Sequence, residues 1–401
     1  MKHTPILAGL ALLALLGGAI GGAHRPDGNP VVGTVTIGPD PGTLVVDTQT
    51  GRAFIGDQSS ARVDVLDTAT GTRVGAVAPS PAGTQVDDLA ADERLGRIFV
   101  LSAPGLGAPL LRGYVSMLDA RSGRLLRTTP VTLGGALGWL AVDRRARHVF
   151  VLGFPDYLPV GTTPDPVRDA VRVSVLDALS GCLVRALTLP LPHQPLQSGA
   201  FADSPLGVDQ RTGRVFVSRF DGARLSVLDA GTGRLLRRVV VGRNAPRFPP
   251  LAVVMDARHG RAFVVARSEG TVGVLDSRSG RVLRTLNVGG RLGGATVDSR
   301  TGRLVVTIGD ASAQAGTLAG PGLVGVLDGR SGILLRTIRV GSGPRAVAVD
   351  ERTGHAIVVT SGGTLPAPAT WRWLPAWLRQ GLPVLPSPGL RTRAIPHGQG
   401  A

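Results

Sequence analysis

Short apolar runs rich in Val, Leu and Ala alternate with compact polar clusters along most of the chain. Such a pattern predicts many short strands joined by turns. The runs are near-continuous rather than strictly alternating, as expected of strands buried on both faces. Two signatures interleave. The first is an apolar strand, an Asp, a short turn ending in Gly-Arg, and a second apolar strand. It reads LVVDTQTGRAFIGD from Leu44 and recurs from Leu89, Leu140, Leu206, Val253, Ala295 and Val347. The second, VSVLD-x-x-SGRLLRT, centres on Asp67, Asp119, Asp177, Asp229, Asp276 and Asp328, alternating with the first. Each pair of signatures supplies two hairpins in series, hence four strands.

The turn chemistry agrees with the pattern. In D-x-x-T/S-G the carboxylate accepts backbone N–H groups, the hydroxyl adds a second donor, and Gly takes a positive-φ position. A calcium loop needs several oxygen ligands, whereas each turn here carries one Asp. These aspartates read as structural.

Four-strand units at this spacing have the period of propeller blades. The predicted fold class is all-β, a seven-bladed β-propeller with an N-terminal strand closing the last blade. The seventh copy of the first signature has no second signature after it. Val31–Ile37, which stands as far before Asp47 as RTIRV stands before Asp350, is assigned as the outer strand of that blade. One strand of the blade remains unassigned, to come from the tail or to be missing altogether. The expected organisation is residues 1–23 as a leader, 31–362 as propeller and 363–401 as a tail rich in Pro, Trp and Arg.

The leader assignment rests on Lys2 and His3, then an apolar run from Ile6 to Ile20, then Gly21, Gly22 and Ala23. This is the layout of a cleavable signal peptide, with an uncleaved anchor as the alternative. Both place the protein outside the cytoplasm, secreted or in the cell envelope. The single cysteine, Cys182, excludes an internal disulfide and any multi-cysteine metal site. The formal charge of +16, carried by arginine apart from Lys2, favours anionic surfaces. With only nine Phe, four Trp and two Tyr, little aromatic interleaving is available for stacking on single strands, so no specific nucleic-acid binding is expected.

RTIRVGSGPRAVAVDERTGHAIVVT (Arg336–Thr360) and its weaker relatives resemble the YVTN-repeat, or YncE-like, bacterial β-propellers. The resemblance covers about Val31 to Gly362. It departs at the hairpin, which is D-x-x-T-G-R, and at the tetrapeptide itself, replaced by FIGD, FVLS, FVSR or FVVA. It implies the propeller fold and an extracytoplasmic binding role.

In such a meander, both turns of one edge are short, so the long insertions collect on the other edge, where binding residues concentrate. The candidate ligand-binding residues there are Asp57, Arg112, Asp156, Tyr157, His193, Asp203, Arg219, Arg243, Arg267 and Asp310. In the tail, Trp371, Trp373 and Trp377 with Arg372 and Arg379 suit a membrane interface or a partner, or packing back on the ring. The expected function is a non-enzymatic binding or scaffold protein whose long-loop face takes a protein, peptide or anionic envelope polymer. No cofactor is expected. The alternative is a metal-dependent lactonase- or esterase-like hydrolase holding a divalent cation with Asp57, Asp156, Asp203 and Asp310. No nucleophile motif accompanies it.

Overall fold

The computed structural model describes residues 10–12, 34–104, 112–134, 137–154, 171–189, 205–218, 224–241, 252–267, 269–309 and 322–360. All regular structure in them is β, arranged as seven four-stranded antiparallel sheets. Six sheets are blades of four consecutive strands: Pro41–Val77, Thr84–Thr132, Leu137–Leu189, Leu206–Val240, Ala252–Asn287 and Arg291–Val340. They are numbered 1 to 6 in that order. The first strands of neighbouring blades touch and line the axis, and the fourth strands lie outermost.

The expectation of seven blades is therefore corrected to six. The remaining sheet is not a blade of the repeat but a composite closing sheet, ordered Thr34–Thr36, Leu10–Leu12, His355–Thr360, Pro344–Asp350 from outside to inside. Its inner strand touches the inner strands of blade 6 and blade 1, so the ring closes. Two of its strands come from the two-signature repeat's last copy and two from the N-terminal region. The outermost strand falls within Val31–Ile37 but is only three residues long. The strand left unassigned comes neither from the tail nor from a gap in the sheet. It is Leu10–Leu12, inside the apolar run read as a leader, paired with Val359–Thr360 on one side and Thr34–Thr36 on the other.

Packing explains why the repeat specifies a ring. Each sheet presents the seventh residue after its first-signature Asp to the next sheet: Phe54, Phe99, Phe150, Phe216 and Phe263, with the smaller Val305 and Ile357 in the last two positions. Every one of these side chains is buried in an apolar cluster shared with the following sheet. Burying an aromatic or aliphatic side chain of this size contributes about 1.5–3 kcal/mol, so inter-blade contact is the main source of stability.

The turns follow the expected chemistry. Asp47 accepts the backbone N–H groups of Gln49 and Thr50 at 2.9 and 3.3 Å, and Asp177 those of Leu179 and Ser180 plus the Ser180 hydroxyl. The first-signature aspartates are all buried. In blade 3 the turn reads Asp143-Arg-Arg-Ala-Arg147, and Arg147 takes the position glycine holds in the other copies, at φ 57°.

The outer-strand arginines do more than charge an exposed edge. Arg185 Nη2 donates to the Ala230 carbonyl of the next blade at 2.9 Å, Arg284 Nη1 to Ser331 O at 2.6 Å, and Arg237 to Ser279 O. Each staples the outer strand of one blade to the second turn of the next.

The channel wall and the insert-bearing edge

Antiparallel order places the strand-2-to-3 and blade-to-blade connections on one edge and both hairpin turns on the other. The blade connections with residues outside the described set, such as 105–111, 155–170, 190–204, 242–251 and 310–321, all leave and rejoin strands at the first edge. The opposite edge is closed throughout by the Asp turns.

On the insert-bearing edge of blade 1, Asp57 ends the second strand and is 2% exposed. Its Oδ1 accepts the Ser59 backbone N–H and hydroxyl at 2.8 and 2.6 Å. Its Oδ2 has no hydrogen-bond partner and lies against Gly38, where a β-carbon would come within 2.2 Å. Gly38 N donates to a second buried carboxylate, Asp64 Oδ2, at 2.8 Å. Asp64 Oδ1 is gripped by Arg62 and Arg73, each at 2.8 Å. Arg345 of the closing sheet pairs with Asp40. This cluster sews the closing sheet's edge of the ring to blade 1, and its geometry leaves Asp57 enclosed rather than presented at an open mouth.

Arg112 is exposed at the start of the third strand of blade 2, paired in register with Thr132. Arg267 is half-buried in blade 5. Its Nε donates to Leu292 O of blade 6 at 3.1 Å, and its carbonyl accepts Leu292 N–H at 3.0 Å. Arg267 therefore joins two blades at this edge. The structure does not bring Asp57, Arg112 and Arg267 together, since they stand on blades 1, 2 and 5. Asp156, Tyr157, His193, Asp203, Arg219, Arg243 and Asp310 lie outside the described residues, as do Trp371, Trp373 and Trp377.

Within the axis, residues three and four before the first-signature Asp form one level of the wall. They enclose a cavity of about 150 Å³ bounded by Thr43, Asp88, Leu140, Val253, Gly294 and Val347, among others. Asp88 supplies its carboxylate. Oδ1 accepts Thr43 Oγ1 of blade 1 at 3.0 Å and Leu89 N at 2.8 Å, and Oδ2 accepts Leu140 N of blade 3 at 2.8 Å. The side chain thus bonds three consecutive blades and is buried. The preceding Asp87 is the extra residue of a β-bulge between Val86 and Asp88. Burial pushes its carboxyl pKa well above the ordinary carboxylate value, the Asp88 charge adds to the rise, and Gln85 opposes it.

Neither Asp87, Asp88 nor Asp64 stands out when motifs are read for chemistry. The available signal was registration: Asp88 aligns with Thr43, Trp139, Ala252, Gly294 and Ala346, and Asp64 with serines or glycines of the other second signatures. Chemically, the cavity is water-sized to small-molecule-sized, below the roughly 300–1,000 Å³ of a substrate pocket. Among the described residues no three His, Cys, Asp or Glu side chains gather in a group able to hold a metal ion.

Neither a scan of protein-family models nor a search of curated proteins yields a match. Solved structures do match. The chain is similar to the Pan2 WD40 domain of Neurospora crassa, with 12% identity and TM-score 0.55 over 80% of this chain and 86% of that one. It is similar to a chain of a mitotic checkpoint complex, with 11% identity and TM-score 0.56 over 87% and 95%. Raptor of Chaetomium thermophilum matches at 17% identity and TM-score 0.54 over 85% of this chain, which spans 29% of the Raptor chain. At these identities the likeness establishes the fold alone, and that fold is a WD40-like β-propeller.

Proposed function

We propose that the chain is a non-enzymatic interaction scaffold that takes a protein or peptide partner on its insert-bearing edge. The observation that carries this reading is the separation of the two edges. One is closed by short self-bonded turns, while every long connection is mounted on the other by a ring whose blades are packed and stapled to one another. The structural neighbours include a chain of a mitotic checkpoint complex, which supports a protein partner. The axial cavity, too small for a substrate pocket, and the enclosed Asp57 favour binding over hydrolysis. The repeat's resemblance to the YVTN-type propellers supports a site of action outside the cytoplasm, with an envelope polymer as the alternative ligand.

The test replaces connections 105–111 and 155–170 separately by short Gly/Ser turns in the full chain. In-cell cross-linking and mass spectrometry then compare the partners captured by the variants and the parent. The expected result is an unchanged melting temperature with loss of one defined partner. Retention of the same cross-links, or turnover of lactone or ester substrates that Asp57→Ala abolishes, overturns the proposal.

A further inference from the structure

The edge opposite the insertions carries a different pattern. Its turns hold every repeated Asp, yet none of these carboxylates is exposed. Those of the first signature are buried and those of the second are half-buried, each folded back on its own turn. The two glutamates of this edge, Glu93 and Glu351, are half-buried and accept backbone N–H groups from neighbouring turns. Its exposed charged side chains are therefore cationic. They are arginines contributed by successive sheets, among them Arg94, Arg121, Arg145, Arg211, Arg278 and Arg330.

A second feature coincides with it. Among the described residues, the exposed large apolar side chains fall in or directly after the second turns, Val240 excepted. Leu179 is 51% exposed and Ile333 52%, and Leu125, Leu183, Leu235 and Leu334 stand at the first position of their outer strands. Aliphatic side chains at the rim of a basic, turn-built face combine the two attractions that hold proteins at an anionic bilayer, Coulombic contact with headgroups and shallow burial of apolar groups. A nucleic-acid surface would call for aromatic platforms or an element that enters a groove, and these turns contain no aromatic residue.

We infer that the turn edge is a docking face for an anionic lipid bilayer, with arginines of the turns meeting the headgroups and the rim leucines and isoleucine entering the interface. This leaves the insert-bearing edge pointing away from the membrane, and it stands independently of which partner that edge binds.

Vesicle co-sedimentation of the full chain tests it, using phosphatidylcholine vesicles with and without about one third phosphatidylserine. Arg121→Glu with Arg278→Glu alters the turn edge. Arg238→Glu with Arg339→Glu makes the same charge change on exposed positions of outer strands. The expected result is binding to the anionic vesicles alone, weakening as salt rises. The turn pair should lose at least about tenfold in affinity and the outer-strand pair under about threefold. If the glutamate pair melts early, the Arg121→Gln, Arg278→Gln pair carries the same comparison. Equal binding to neutral vesicles, or equal losses in the two pairs, overturns the inference. So does absence of vesicle binding while the turn pair loses affinity for an oligothymidine, which would mark the face as a nucleic-acid surface.

Discussion

Thr68 provides the sharpest test of how the ring is held at its seam. It follows Asp67 in blade 1, is fully buried, and donates its hydroxyl to Asp350 Oδ2 of the closing sheet at 2.7 Å. Its backbone N–H bonds Gly51 O within its own blade, so the side chain is the part that crosses the seam. Thr68→Val removes this donor while keeping the branched shape. Asp350 is itself completely buried and its Oδ1 is already engaged by Arg352 and Thr353 N–H groups. A hydrogen bond to a charged group is worth about 1.5–3 kcal/mol, and the residual attraction of Arg352, 3.5 Å from Oδ2, places the expected loss near 2 kcal/mol. With an unfolding entropy of roughly 2.1 cal/mol/K per residue over the 262 described residues, this corresponds to a fall in Tm of about 4 °C. Differential scanning calorimetry of the parent, Thr68→Val, Asp350→Asn and the double variant isolates the coupling between the two side chains. A coupling below about 0.5 kcal/mol, with Thr68→Val as stable as the parent, refutes the idea that this bond secures the seam.

Other positions give further tests. Ala120 occupies in blade 2 the place of Thr68, and its neighbour across the boundary, Asp47, has a buried Oδ2 without a partner and a carboxyl pKa raised first of all by burial. Ala120→Ser is expected to add about 1 kcal/mol at neutral pH. A raised carboxyl makes the native state hold its proton longer than the unfolded chain, so Asp47 costs stability as pH rises above the ordinary carboxylate range. The gain from Ala120→Ser therefore appears above that range and fades below it, as urea titrations at several pH values will show. Ala120→Thr is expected to destabilise, because Ala120 is fully buried in the cluster that holds Phe54 and a further methyl overpacks it. Arg147→Gly relieves a left-handed backbone and is expected to stabilise by about 1 kcal/mol, read as a higher urea midpoint at unchanged slope. Asp87→Asn removes a carboxylate whose pKa burial drives well upward. Thermal stability should improve at neutral pH and the parent's decline with rising pH above the carboxylate range should flatten. Removing residues 1–23 takes away the only strand paired with Thr34–Thr36 among the described residues, so Tm should fall, while mass spectrometry of the protein isolated from its own cells establishes whether that segment is retained.

Local chemistry and ring-level chemistry differed in how legible they were. The hairpins were readable because D-x-x-T/S-G fixes a turn from within six residues, and the copies register with one another. Their Asp and hydroxyl groups bond as the motif requires at Asp177, Asp229 and Asp276. The edge bearing the insertions followed from strand order alone. What escaped is whatever is decided between sheets. Leu10–Leu12 carries no repeat signal, and an unbroken apolar run has the same appearance in a leader as in a buried strand. The bulge at Asp87 and the three-blade role of Asp88 depend on partners 45 and 52 residues away. The outer arginines read as edge protection, yet Arg185 and Arg284 bond carbonyls of the following blade, 45 and 47 residues on.

These inter-sheet contacts carry the functional argument as well. Because each blade is tied to the next by a buried aromatic or aliphatic side chain inside and by arginine staples outside, the turns are fixed to a rigid frame and their aspartates are consumed in holding it. Arginines of those same turns are left facing solvent with no exposed acid beside them. A repeat selected only to close hairpins would be as well served by neutral residues at the variable turn positions, since the Asp, the hydroxyl and the glycine already complete the turn. Some of these arginines serve the ring, as Arg144 does against Glu93 and Arg352 against Asp350, but the exposed Arg94, Arg121, Arg278 and Arg330 and the leucines at the starts of the outer strands add a solvent-facing array that the turns do not require. That array does have an account in contact with an anionic surface, which needs many weak contacts held in one rigid frame.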